Sequence, residues 1–300
     1  MKRHIRRFTE VVIILVALGA GLFSQRVVIA QWFADRSQPE LPPAIGFEQT
    51  QTQPPILPEP VPAPVNAQEG SIAVKEPPVL PVDQGEKEQP ALEVPPDLSA
   101  PVPQSDLPAS INLAVPFTSQ APYADWSAPY KETCEEASFY MVDQYYQKTA
   151  PGLIPAETAN KALLGLVDFE MELFGAYEDS TITQMATLAE MFAGYEHVDV
   201  MTNPTLEEMK QQVASGRPII VPTAGRLLGN PYFQNPGPIY HMLVVRGYTQ
   251  EGMFITNDPG TRHGEAFLYP YETLMNAMHD WNGGENIEAG AKRILVIYPN

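Results

Sequence analysis

Residues 111–300 are predicted to form one α+β domain, with helices first and a mostly antiparallel sheet after them. Three observations carry this. Apolar residues recur at helical spacing between Cys134 and Gly216. The period turns strand-like from Arg217 onward. Two β-branched runs, HMLVVRGY and MFITND, flank a turn-forming stretch at 249–252.

LAVPFTSQ, ending at Gln120, reads as a short strand or extended entry. CEEASFYMVDQYY (134–146) puts Ala137, Tyr140, Met141 and Tyr145 at helical spacing, with Glu135 and Glu136 in the first turn, where the helix dipole favours carboxylates. Thr133 or Glu132 serves as the entry to that helix. A second helix runs between Pro155 and Phe174, and a third over Ile182 to Phe192. Thr205 and Glu208 form a capping box that opens a fourth, and Gly216 stops it. RPIIVP (217–222) is a compact strand; 241–248 and 253–258 are the arms of a hairpin; EAFLY (265–269) is a further strand before a short helix around Tyr271 to Met278. RILVIY (293–298) closes the chain as a strand.

What precedes the domain is of another kind. KRHIRR (2–7) followed by thirteen apolar or glycine residues, Val11 to Phe23, is the pattern of an export signal. Thirteen helical residues rise about 20 Å against a hydrocarbon core of about 30 Å. Phe8 to Gln25 lengthens the helix, and Arg26 can reach the far interface. The expectation is a membrane anchor over 1–35, single-pass, with the basic end in the cytoplasm and the C-terminal domain outside. The alternative is cleavage after Ala30, where Val28 and Ala30 fit the small-residue rule, and secretion. Residues 36–110 hold 18 of the 32 prolines and read as a Pro-rich disordered linker, because proline removes backbone donors and keeps the chain extended.

A net charge of −18, with no run of Lys or Arg in 111–300, excludes nucleic acid as an expected partner. One cysteine, Cys134, rules out an intramolecular disulfide and a thiolate-cluster metal site. No cofactor motif is present, and the domain is expected to be a monomer.

Cys134 as a buried structural cysteine is the plain alternative. Its neighbours argue for chemistry. A thiol nucleophile needs a lowered pKa, a base within hydrogen-bond reach and donors for the oxyanion. Opening a helix supplies the first through the dipole, provided that Glu135 and Glu136 point away to solvent. Among five histidines, His197 lies in a polar stretch and His279 ends a short helix, while His263 could line a cleft. His241 opens an apolar strand, and Asp258 ends the partner strand at Asn257-Asp258-Pro259-Gly260, so the hairpin brings the two to one open end. A carboxylate there orients the imidazole and fixes its tautomer. A side-chain amide such as that of Gln120 can help the backbone amide of Cys134 to hold an oxyanion.

VPFTSQAPYADW, ETCEEAS, YHMLVVRGY and ITNDPG, in that order, resemble the stand-alone branch of the bacteriocin-processing, double-glycine-leader peptidase family, within the papain-like cysteine peptidases. The resemblance spans roughly Ala114 to the C-terminus. It implies a papain-like domain, with Cys134 as nucleophile, His241 as base, Asp258 as third member and Gln120 in the oxyanion site. Trp126, Asn257 and His263 are candidate substrate-binding residues. Transporter-linked members start the nucleophile helix with Cys-Gly-Pro, where this chain has Cys-Glu-Glu, and its Gln120 to Cys134 spacing is longer. The leader substrate is therefore not carried over.

The expected function is an extracytoplasmic thiol hydrolase acting on a peptide or on a cell-wall or surface amide. The competing reading is a catalytically silent peptide- or wall-binding module of the same fold. A third reading gathers His241, Asp258 and His263 around a metal, without ligand spacing to support it.

Overall fold

The computed structural model describes residues 40–51 and 107–300. The expected anchor over 1–35 and most of the expected linker lie outside those residues. Among the described residues no helix is long and apolar enough to cross a membrane.

The helices are α1 (Phe47–Thr50), α2 (Cys134–Tyr146), α3 (Ala156–Phe174), α4 (Ile182–Ala193), α5 (Leu206–Ala214) and α6 (Tyr271–Ala277). The strands are β1 (Ile111–Asn112), β2 (Val198–Thr202), β3 (Ile219–Ala224), β4 (Tyr240–Tyr248), β5 (Met253–Asn257), β6 (Phe267–Pro270) and β7 (Arg293–Ile297). They form one antiparallel sheet in the order β2-β7-β3-β4-β5-β6, with β1 pairing the far end of β4. The predicted α+β architecture is present, helices packed on an antiparallel sheet as in a papain-like domain.

Strand β4 is the centre. All nine of its residues are buried, so both faces are covered, and α2 and α5 both pack against it. A strand buried on both faces reads as a continuous apolar run, which is how HMLVV reads. The predicted capping box holds: the hydroxyl of Thr205 accepts from the Glu208 amide at 3.2 Å, and Gly216 follows α5 in left-handed conformation.

Arg246, at the bulge between Val245 and Gly247, ties the entry segment to the sheet. Its buried guanidinium donates to Asn112 Oδ1 (3.1 Å), the Val115 carbonyl (3.0 Å) and Asn257 Oδ1 (3.2 Å). Burial pushes its pKa down to about 10. Gly247 is needed beside it, because a Cβ there would lie 2.4 Å from the Ile111 carbonyl oxygen.

Three local expectations are corrected. Only Ile111 and Asn112 of the entry segment form a strand; the rest runs extended with single bridges at Leu113 and Phe117. EHVDVMT, read as polar, contributes β2, an edge strand whose residues pair with β7 from Ile297 to Arg293. Residues 40–51, placed by composition in the linker, pack on the domain. Ile45 bridges Leu113 in parallel, its amide donating to the Asn112 carbonyl at 2.7 Å, and Phe47 sets its ring edge-on to Tyr145 and Tyr146. Two apolar residues around a glycine suffice to dock a segment whose neighbours are prolines.

Candidate active site

Cys134 is the first residue of α2, and the side chain of its N-cap, Thr133, does not cap the helix. Its hydroxyl instead donates to the Gln120 carbonyl at 3.0 Å. Gln120 is tied a second time through its own amide, which donates to the Pro259 carbonyl at 3.0 Å, and Ser119 donates to the same oxygen at 3.2 Å. The entry segment thus links the start of α2 to the turn that carries Asp258. The Gln120 side-chain amide donates to the Tyr130 carbonyl at 2.9 Å and lies at the edge of a cleft.

His241, the second residue of β4, is buried. Its Nε2 donates to Asp258 Oδ1 at 2.8 Å, which leaves Nδ1 as the basic nitrogen. Asp258 follows the last residue of β5 and is fully buried. Its Oδ1 also accepts from the Gly260 amide (3.0 Å), and its Oδ2 accepts from the Tyr269 hydroxyl (2.6 Å) and Asn230 Nδ2 (3.1 Å). Burial alone would raise its pKa, but His241, Tyr269 and the Gly260 amide outweigh it and hold the carboxyl below the usual range. Phe233 stands edge-on to the imidazole at 5.2 Å. A Cβ at Gly260 would sit 2.8 Å from His241 Cε1, so glycine there makes room for the ring.

The helix that Cys134 opens, α2, packs against β4, the strand that carries His241. The thiol itself donates to Glu135 Oε2 at 3.0 Å. Cys134 opens the helix as expected, but the condition for a lowered thiol pKa, carboxylates turned to solvent, is not met. Burial first, and then Glu135, push the thiol pKa well up, and the Met242 amide offsets this only in part. Glu135 and Glu136 do not point to solvent: both are buried, with Glu170 from α3 beside them. Burial raises Glu135 to about 8 and Glu170 to about 7, and Glu136 goes well above the usual range through burial and its acidic neighbours.

An open cleft of about 820 Å³ has Gln120, Trp126, Tyr232, Phe233, Gly260 and His263 among its lining residues; Cys134 and His241 are not among them, though Phe233 and Gly260 lie against the His241 ring. His263 stacks on Tyr232 at 4.5 Å, and Arg262 donates to its Nε2. No carboxylate lines the cleft, while Lys131 and Arg262 do.

Of the candidate substrate-binding residues, Trp126 and His263 face this cleft and Asn257 does not. Asn257 is fully buried and structural: its Nδ2 donates to the carbonyls of Val115 and Pro116, and its Oδ1 accepts from Ala266 and Arg246. His197 is on the surface against Tyr298, and His279 Nδ1 donates to the Gly290 carbonyl at 2.8 Å. Among the described residues no three His, Cys, Asp or Glu side chains converge as a metal would need.

Tyr269 and Asn230 were not legible as site residues. One falls in a strand and the other in a Gly-Asn-Pro turn, and neither spacing relates them to Asp258. The 258–264 loop between β5 and β6 is tight, for the Asp258 amide donates to the Gly264 carbonyl at 2.9 Å and a Cβ at Gly264 would lie 1.8 Å from the Asp258 carbonyl oxygen. Gly264→Ala is therefore expected to cost about 3 kcal/mol or more and to shift Asp258, read as a lower denaturant midpoint. An unchanged midpoint would contradict that packing.

Against known proteins, a family model described as the Peptidase_C39-like family matches residues 112–285. No curated protein matches. Four solved chains do, among them a putative C39-like peptidase from Bacillus anthracis, 16% identical with a TM-score of 0.41, covering 64% of this chain and 98% of that one. A fragment of prointerpain A from Prevotella intermedia is 15% identical with a TM-score of 0.42, covering 64% of this chain and 73% of that one.

Proposed function

This chain belongs to the Peptidase_C39-like family, and on that premise we propose that it is a thiol-dependent hydrolase of peptide or related amide bonds, with Cys134 as nucleophile, His241 as base and Asp258 as the residue that orients it. The observation that carries this reading is the buried His241–Asp258 pair at 2.8 Å, with His241 on the strand against which the helix opened by the lone cysteine packs.

In this reading the thiol turns from Glu135 to His241 Nδ1 and gives up its proton there. The sulfur attacks the substrate carbonyl, and the oxyanion is held by the Cys134 amide and the second N–H of the Gln120 side chain. The C–N bond breaks as the amine leaves with the proton from His241. Water, activated by the same imidazole, then hydrolyses the thioester and restores the thiol. Trp126, His263 and Tyr232 form the walls along which an extended peptide would lie. The basic cluster and apolar run at the N-terminus support a place outside the cytoplasmic membrane, where secreted peptides, surface proteins and cell-wall cross-links are the available amides.

A digest of a peptide library by the full chain is expected to yield cleavage products that disappear when Cys134→Ala is used as the blank. Identical product sets from the two proteins would remove the hydrolase reading. A second reading, the silent binding module, is favoured by one feature: the thiol is buried and hydrogen-bonded to an acidic side chain rather than open to the cleft.

A further inference from the structure

We propose that Tyr269 and Asn230 are positioning residues of the catalytic pair, holding Asp258 ionised and turned towards His241. This rests on the reading of Cys134, His241 and Asp258 as a triad.

A carboxylate offers about four acceptor sites and no donor. At Asp258 four donors are in place, two on each oxygen: His241 Nε2 and the Gly260 amide on Oδ1, Tyr269 and Asn230 on Oδ2. Full burial with fewer donors would favour the neutral acid, and a neutral acid no longer stabilises a charged imidazole. The shortest of the four bonds comes from Tyr269, at 2.6 Å. Burial and the adjacent carboxylate push that phenol far above its usual range, so it remains a donor at every working pH. Asn230 is itself oriented. Its Oδ1 accepts from the Tyr232 amide at 3.0 Å, which turns Nδ2 to Asp258 and to the Tyr269 hydroxyl at 2.8 Å. Flipping that amide would forfeit the Tyr232 bond.

The arrangement distinguishes an acid from an amide at position 258. With asparagine there, Oδ1 must stay as acceptor for His241 and Gly260, so Nδ2 would occupy the place of Oδ2. It would then face two donors. The Tyr269 hydroxyl can rotate to accept, but Asn230 Nδ2 cannot. The two residues thus select a carboxylate, and they lose their purpose if it is absent.

Because Cys134 is the only cysteine, the rate of alkylation of the full chain by iodoacetamide reports on it alone. The rate is to be followed from pH 4.5 to 9 for the parent chain, Tyr269→Phe, Asn230→Ala, Asp258→Asn and the Asp258→Asn/Tyr269→Phe double variant. Tyr269→Phe is expected to slow alkylation about tenfold at pH 5 but less than about threefold at pH 8, because the less supported carboxylate protonates sooner as pH falls. Asn230→Ala should shift the profile in the same direction and by less, and it carries the test if Tyr269→Phe does not fold. Asp258→Asn should lose about 10²-fold, and the double variant less than the product of the single losses, since the residues act through one group. A uniform loss at all pH values, as from general loosening, or strictly multiplicative effects would overturn the proposal. The triad reading fails separately: in that case His241→Ala would leave the rate of the parent chain unchanged.

Discussion

Replacing His241 with alanine is expected to slow iodoacetamide alkylation of Cys134 at pH 7 by about 10²-fold and to lower peptide turnover by about 10³-fold or more. Burial and the carboxyl of Glu135 raise the pKa of the Cys134 thiol well above the ordinary value of 9.0, so without help it is protonated at neutral pH. A helix N-terminus carries only about half a positive charge, too little to reverse both effects. Reactivity at pH 7 therefore has to come from a group that takes the proton, and in the proposed triad that group is His241, one of whose nitrogens is committed to Asp258 at 2.8 Å. Glu135→Gln is expected to change the rate little at pH 7, where Glu135 holds its proton, and to speed alkylation above about pH 8, where Glu135 would otherwise ionise beside the sulfur. Equal rates for the parent chain and His241→Ala would leave the silent binding module as the better account of the fold.

The parts of this site that could be read from the chain are those where one residue type at one kind of position has few alternatives. A cysteine at a helix start, a histidine at the head of an apolar strand and an Asp-Pro-Gly stop on the partner strand are local signals. The hairpin around 249–252 then fixes which ends meet. Gln120 carries no such local signal and entered through the family resemblance. What could not be read depends on packing between distant segments. Asn257, next to Asp258 and polar, looked like a substrate contact, yet it serves Arg246 and the carbonyls of Val115 and Pro116. Strands point successive side chains to opposite faces, so a neighbour of a site residue belongs by default to the other side. Ile45 and Phe47 were hidden by the prolines around them. β2 was hidden because an edge strand keeps polar residues on its open side.

That Glu135 and Glu136 point inward could not be read for the same reason, and it leads to the second large effect. Helical spacing identified α2, but the first nine residues of this helix are all buried, so there is no solvent face for carboxylates at its start. Buried together, Glu135, Glu136 and Glu170 cannot all ionise, and each holds a proton beyond the ordinary pKa of 4.5. Neither oxygen of Glu136 has a hydrogen bond of normal geometry, whereas Ser180 donates to Glu170 Oε1 at 2.9 Å. The sign follows from proton binding. The fold binds these protons more tightly than the unfolded chain does, so their contribution to stability is complete below pH 4.5. It is lost as pH rises through about 7 for Glu170 and about 8 for Glu135. Asp258, with its pKa lowered from 3.8, works the other way and loses its contribution only in stronger acid. Stability is therefore expected to peak near pH 5 and to fall between pH 5 and 7 by about 1.4 kcal/mol per pH unit for each extra proton the fold retains. For a domain of this size that is about 3–5 °C in Tm per pH unit. Glu136→Gln, which keeps the shape and removes one ionisable group, is expected to flatten that slope and to raise Tm at pH 8, although it barely changes Tm at pH 5. Calorimetry across this range decides the matter: a Tm that is level or climbing from pH 5 to 8 would mean that the three carboxyls are not held neutral by the fold.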